Sequence, residues 1–369
     1  MFVKWNLTKK CKMNCKFCHN ALDRIGWDFD IDEDSVEKVV KKIGNASQLK
    51  GVSLLGGDPL EYEHILKVCK NLDTYRIPYG FITAGENIYT GKFDEIFSSK
   101  YCHFVGLSID SSNKKTVKYI RGKDILNKQL GSLDHLLEIK KTNPNLKIHT
   151  NTILMNINKG EIIDTIQLFS SKNVNKIQIL GYQNNSHSKD RFNINFSEEL
   201  EFVLELSKFL NMQGYLLNRE SLELCFLSEI GKDYLNSLLF DDNQITYGNS
   251  SVCPIFRESL FVSNDGFVYP CDAYKPYFEI DKYSQEPTKI YPVDNLREKS
   301  IDKIYNENEF FIDIKEKIME KDLYSNWEPC NSCSHLMKNC FPCLLNEVNN
   351  KSNEVLIEKC KEYKFLLKS

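Results

Sequence analysis

Thirteen cysteines stand in this 369-residue chain, and their spacing is where chemistry first becomes legible. Cys11, Cys15 and Cys18 form a Cx3Cx2C run directly after the apolar stretch Phe2 to Leu7. Three thiolates this close can wrap one iron-sulfur cube and leave its fourth iron open. Zinc is the alternative, but a structural zinc site closes with four ligands, and His19, adjacent to Cys18, is poorly placed to reach the same ion. A second group holds seven cysteines. Cys253 and Cys271 frame Gly266 as C-x12-G-x4-C, then come Cys330-x2-Cys333-x6-Cys340-x2-Cys343 and, sixteen residues on, Cys360. Taken alone, the CxxC…CxxC portion suits a zinc ribbon as well as an iron-sulfur site. Cys69, on an apolar helix face, and Cys102, at a strand start, read as core packing. Cys225, between Leu224 and Phe226 near the expected domain boundary, is a thiol that could donate a hydrogen atom. An odd cysteine count without a secretory signal argues against a disulfide framework.

The composition is that of an ordinary globular protein, with 41% hydrophobic and 27% charged residues and a net charge of −3. Those values exclude collagen-like, disordered and disulfide-miniprotein classes. At about 150 residues per domain the chain holds two or three domains. It has no basic stripe for nucleic acid, no apolar signal core and no run of about 18 apolar residues, so the sequence reads as cytoplasmic, with neither membrane nor nucleic-acid partner.

The elements that must position the cysteines follow a β/α rhythm. Strands are expected at Phe2 to Leu7, Val52 to Leu55, Tyr79 to Thr83, Phe104 to Asp110, Leu146 to Leu154 and Lys176 to Leu180. Between them, Val36, Val39, Val40 and Ile43 recur at helical spacing, as do Ile65, Leu66, Cys69 and Leu72. Further helices are expected near 92–100, 126–141 and 162–169. Six such units imply a parallel sheet, open or curled into a partial barrel. Parallel barrels carry their chemistry on loops at the carboxyl ends of strands, where the first cysteine run stands. Tyr182 to Asn195 reads as a loop and Phe196 to about Leu239 as helical. Beyond a boundary near 225–245, short aromatic strands around Ser259 to Val268 and a closing helix, Val355 to Leu367, replace the rhythm. The expected domains are therefore 1–225 and 226–369.

The Cx3CxxC run after the first strand resembles the signature of the radical S-adenosylmethionine (SAM) superfamily. Gly56-Gly57-Asp58-Pro59 ends the second strand where that family carries its GGE/GGD-P motif, which receives the SAM amino group. Thr83-Ala84-Gly85 is similar to its T-N-G. Ser108, Asp110 and Arg121-Gly122 are similar to the S-x-D…RG pattern of one branch. The resemblance implies a partial (β/α)6 TIM-like barrel followed by a smaller cysteine-rich α+β domain. It also implies that Arg121 clamps the SAM carboxylate, as guanidinium groups do well, that Ser108 meets the ribose or carboxylate, and that backbone near Leu180 meets the adenine.

The seven-cysteine order resembles the SPASM extension of these enzymes, with middle spacings of six and two where the family has five and three. Carried over by position, one auxiliary 4Fe-4S cluster would use Cys253, Cys271 and Cys343, completed by Cys225 or another group or left open. A second would use Cys330, Cys333, Cys340 and Cys360. Asp272 matches the position of a carboxylate proposed as proton acceptor in anaerobic sulfatase-maturating enzymes; a turn residue beside a metal ligand is its other reading. By resemblance, the chain is a peptide maturase that cleaves SAM reductively, abstracts hydrogen from a ribosomal peptide and installs an oxidative crosslink. Formylglycine formation in a sulfatase and small-molecule dehydrogenation are the alternatives, and a zinc-stabilised binding module is the non-enzymatic one. The implied partners are a peptide or protein substrate, a low-potential donor such as flavodoxin or ferredoxin, and a separate leader-peptide recognition protein, since the first barrel strand begins at residue 2.

Overall fold

The computed structural model describes residues 1–18, 30–182, 189–213, 222–240, 259–269, 294–309, 311–312, 324, 327–336, 338, 340 and 351–369. Among these, β1 (Phe2–Asn6), α1 (Glu33–Gly44), β2 (Gly51–Leu55), α2 (Ile65–Thr74), β3 (Tyr79–Thr83), α3 (Asp94–Phe97) and β4 (Cys102–Ser108) alternate along the chain. They are followed by α4 (Lys114–Arg121), α5 (Leu126–Thr142), β5 (Lys147–Leu154), α6 (Ile162–Ser171), β6 (Lys176–Gly181) and α7 (Phe196–Gln213). The sequence patterns explain most of these elements. In α1, Val36, Val39, Val40 and Ile43 form the buried stripe, and Asp32 caps the first turn by accepting from the Ser35 amide. Such a cap contributes about 1 kcal/mol.

Among the described residues, all strands, including β7 (Leu222–Leu224), β8 (Ser259–Val262), β9 (Phe267–Tyr269) and β10 (Asp294–Asn295), join one sheet in the order β10-β9-β8-β1-β2-β3-β4-β5-β6-β7. From β8 to β7 every neighbouring pair is parallel. The sheet does not close, yet Phe261 on β8 and Leu180 on β6 line one cavity, so it curls as a partial barrel. Strand alternation sorts its two faces. Val3, Trp5, Val52, Leu54, Phe81, Val105, Leu107, Ile177 and Ile179 are buried in the hydrophobic core, whereas Lys4, Ser53, His149, Asn151 and Gln178 face the lumen.

Two expectations change. The stretch from Phe196 to about Leu239 is not continuously helical: α7 is followed by β7 (Leu222–Leu224) and α8 (Glu229–Ser237). β7 pairs with β6 through Ile177↔Leu222 and Ile179↔Leu224, satisfying an otherwise open strand edge, a tertiary reward that helical periodicity does not register. Nor does the sheet end with the β/α rhythm. β8 (Ser259–Val262) lies beside β1, and β9 (Phe267–Tyr269) and β10 (Asp294–Asn295) extend it antiparallel.

After α9 (Ile301–Glu307), α10 (Lys351–Leu366) packs across α8. Tyr363, fully buried, meets Phe196 edge-on at 5.0 Å between ring centroids. Gly231 of α8 leaves room for that ring, since a Cβ there would stand 2.9 Å from it. The Tyr363 hydroxyl donates to Glu199, which also pairs with Lys359. No described helix is long and apolar enough to cross a membrane.

Because Tyr363 fills this junction, Tyr363→Ala should cost about 3–5 kcal/mol in anaerobic chemical denaturation. A loss below 1 kcal/mol would mean that α10 is not docked through this ring.

Candidate functional site

Three strand ends and one helix end converge where the first cysteines lie. Cys11, Cys15 and Cys18 line a cavity of about 600 Å³ together with Gly56, Gly57, Thr83, Ser108, Asp110, Arg121 and Leu180. Seven of the nine expected cofactor-contacting residues therefore share one wall system with the thiols. Asp58 and Pro59 stand behind it.

The side chain of Asp58 is turned inward. Its buried carboxylate accepts from the Thr83 hydroxyl at 2.7 Å, the Ala84 amide at 3.0 Å and the Leu60 amide at 3.1 Å. Burial pushes this carboxyl above its ordinary range, against the pull of those donors. Asp58 and Thr83 thus tie the end of β2 to the end of β3. The glycines before Asp58 also have a reason of their own. A Cβ on Gly57 would sit 2.4 Å from the Lys10 carbonyl oxygen, and one on Gly56 2.7 Å from that of Thr8. The close approach that requires glycine is made by the chain's own cysteine loop, through Gly57 N–H to Thr8 and Asp58 N–H to Lys10.

The other side of that loop rests on α4. The amides of Asn14 and Lys16 donate to the carbonyls of Arg121 and Ile120, which the helix end leaves open. Gly122 closes the helix at φ 71° and lies so near Asn14 that a Cβ would meet its carbonyl oxygen at 2.8 Å. Arg121 is buried. Its Nη2 lies 2.6 Å from Asp110 Oδ2, its Nη1 lies 3.8 Å from Cys15 Sγ, and its guanidinium sits 5.3 Å from the Phe17 ring centroid. Burial opposes the guanidinium charge, but Asp110 and Cys15 outweigh it and Arg121 holds its proton more firmly than usual. Burial likewise pushes the Cys15 thiol up to about 11, with Arg121 pulling in the opposite direction.

Several residues here were not singled out in the sequence. Gln129 of α5, fully buried, donates to the carbonyls of Ala84 at 2.9 Å and Ser108 at 2.8 Å, bridging the ends of β3 and β4. Asn158 bridges Asp110 and Ile153 in the same way. In the lumen, Gly80 gives way to the Phe104 ring, which stacks on His149 at 5.6 Å. Burial, with Lys176 adding to it, lowers the His149 pKa to about 4, so its imidazole is neutral near pH 7. Lys176 faces Glu223 at 2.6 Å, and Gln178 donates to the same carboxylate. The lumen residues were findable from alternation, since Lys176, Gln178 and Leu180 occupy every second position of a strand whose other face is apolar. Gln129 and Asn158 leave no such signal.

A second cysteine group also comes together. Cys330, Cys333, Cys340 and Cys360 surround a small cavity against Ser228 and Ile230. Cys360 is placed by α10, Cys340 by a bond from its amide to the His335 carbonyl, and His335 by Asp233 at 2.7 Å. Cys225 is exposed just after β7 and does not line the main cavity. Cys253, Cys271, Cys343 and Asp272 lie outside the described residues, as does His19.

The residues present fit the groups that such thiols imply. The first site offers three thiols beside orphaned polar atoms: Asn6 Oδ1, Asn151 Oδ1 and Arg121 Nε are buried without a hydrogen-bond partner among the described residues. Arg121 Nε is a donor available to a carboxylate. Among the described residues, no three His, Cys, Asp or Glu side chains gather as ligands of one ion. Three thiols lining one cavity are the number a cube with one open iron takes, one thiol per iron.

Two family models match the chain. Residues 5–169 match the family model of the radical SAM superfamily, and residues 253–334 match SPASM, an iron-sulfur cluster-binding domain. A GTP 3',8-cyclase of Clostridium perfringens is 28% identical over 215 residues, 57% of this chain and 64% of that protein. The chain spans only 53–64% of the length of such curated relatives. Among solved structures, Streptococcus suis SuiB bound to its precursor peptide SuiA superposes with a TM-score of 0.70 at 18% identity, over 97% of this chain and 75% of that one. The structure of anSMEcpe with bound AdoMet gives 0.62 at 16%, over 90% and 86%.

Thr83→Val leaves Asp58 buried without its hydroxyl donor and should cost about 1–3 kcal/mol, read by urea denaturation; an unchanged midpoint would remove the staple from this account. For His149, the unfolded chain binds more protons than the folded one between pH 4 and 6.5, so stability rises with pH across that window. Replacing His149→Asn should flatten this rise, and identical pH profiles for the two proteins would count against a buried neutral imidazole.

Proposed function

We propose that this chain, whose residues 5–169 match the radical SAM superfamily and residues 253–334 the SPASM iron-sulfur domain, is a peptide maturase that installs an oxidative modification on a ribosomally made peptide. Cys11, Cys15 and Cys18 would hold a 4Fe-4S cluster. The Gly56-Gly57 backbone, Ser108 and Arg121 would receive the amino-acid end of SAM, with Leu180 backbone at the adenine. Cluster and SAM, when bound, would supply hydrogen-abstracting radical chemistry, which the residues above would position. The chain's own residues bind, orient and exclude water. Cys330, Cys333, Cys340 and Cys360 would hold one auxiliary cluster, and Cys253, Cys271 and Cys343 another, with Asp272 beside it as a proton acceptor. A low-potential donor would supply electrons.

The observation that carries the peptide reading is the charge state of the lumen. A nucleoside triphosphate, the substrate class named for the GTP cyclases, needs several uncommitted cations around its phosphates. Among the described lumen residues the cations are Lys4, Arg121 and Lys176, of which Arg121 faces Asp110 and Lys176 faces Glu223. Asn151 and Gln178 form an uncharged row across β5 and β6, in register as Asn151↔Gln178. Such a row suits the amide groups of a peptide, which give and accept hydrogen bonds without net charge.

Anaerobic reconstitution should yield about twelve irons per chain, and Cys360→Ala should remove about four of them; zinc in place of iron would overturn the cluster assignments. With dithionite and SAM, a peptide encoded beside this chain should raise 5'-deoxyadenosine formation and lose hydrogen atoms in its mass spectrum. Stimulation by GTP instead, with a cyclised nucleotide as product, would overturn the peptide reading.

A further inference from the structure

Arg121 has three neighbours that act on one another. Its Nη1 stands 3.8 Å from Cys15 Sγ, within reach of an N–H···S bond, while Nη2 is held at 2.6 Å by Asp110 Oδ2. Phe17 covers the guanidinium. The two charged side chains are 7% and 0% exposed, so little water screens either of them.

We infer that Arg121 tunes the reduction potential of the cluster held by Cys11, Cys15 and Cys18, and that Asp110 sets the strength of that tuning; the inference rests on the proposed cluster assignment. Reduction adds one electron and hence one negative charge to an iron-sulfur cube. A cation and an N–H donor beside a ligand sulfur stabilise the reduced form more than the oxidised one, which raises the potential. The effect is larger where burial keeps the local dielectric low. Asp110 works in the opposite direction. Its carboxylate offsets the guanidinium charge seen by the sulfur while fixing the geometry that lets Nη1 point at Cys15, so Asp110 is a positioning residue. It is itself steadied by the Ile153 amide, which donates to Oδ1 at 3.2 Å. Cys11 accepts from an uncharged donor, the Met13 amide at 3.4 Å. Cys15 is the most buried of the three thiols.

The test is an EPR-monitored redox titration of the reconstituted full chain without SAM. The N-terminal signal is isolated by subtracting the spectrum of a Cys11→Ala/Cys15→Ala/Cys18→Ala variant. Arg121→Met, which keeps the stem and removes charge and donors, should shift the midpoint to more negative potential. Asp110→Asn should shift it to more positive potential. The double variant leaves no lone buried charge and should again lie below the wild type; it decides the matter if Arg121→Met alone does not assemble. Opposite signs in the two single variants are what a merely structural role would not produce. Shifts of the same sign, or none, would overturn the inference while leaving the cluster assignment intact. A wild-type spectrum identical to that of the triple variant would overturn the cluster assignment, and this inference with it.

Discussion

The buried ion pair of Asp110 and Arg121 is the constraint on which the rest of the site depends. Both groups are removed from water, and breaking such a pair by deleting one partner costs about 3–5 kcal/mol. Replacing both with apolar groups is often neutral, so stability alone does not account for the pair. What it does here is geometric. Arg121 is the last residue of α4, and its carbonyl and that of Ile120 are the shelf on which Asn14 and Lys16 rest. Fixing the side chain of Arg121 to β4 fixes the helix end, and the helix end fixes the cysteine loop.

Around this pivot the strand ends are laced by buried side chains rather than by backbone ladders. Asp58 and Thr83 join β2 to β3, Gln129 joins β3 to β4, and Asn158 joins Asp110 to the end of β5. Each bridge satisfies carbonyls or amides that the strands no longer pair once they diverge. The result is a rim whose strand ends are tied to one another beside the cysteine loop. Pre-organisation of this kind is what a scaffold contributes when a cofactor carries the reactive chemistry.

The second cysteine group depends on packing of another kind. Cys330, Cys333 and Cys340 are local, within eleven residues, but Cys360 arrives on a separate helix. Its placement follows from Tyr363 seated between Phe196 and Gly231, with Glu199 receiving both Lys359 and the Tyr363 hydroxyl. The C-terminal region and the barrel therefore share one sheet and one helical junction. β8 beside β1 brings that region to the strand that leads into the first cysteine loop.

The sequence by itself determined the elements and the chemistry that depends on residue type and local spacing. Period-two and helical patterns placed β1 to β6 and most helices, because each element buries one face and its apolar residues must recur accordingly. The Cx3CxxC run and the Gly-Gly-Asp-Pro segment marked the site, since ligands and tight turns are written in consecutive residues. Tertiary structure alone decided which side each polar residue serves. Asp58 turns away from the cavity because Thr83 and Ala84 come to it across a strand gap, and the glycines before it make room for the chain's own loop. β7 is a strand because β6 had an open edge, although its surroundings carry helical periodicity. Gln129, Asn158 and the contact of Arg121 with Cys15 join residues 21 to 106 positions apart, and a partner so distant leaves no local pattern for spacing to reveal.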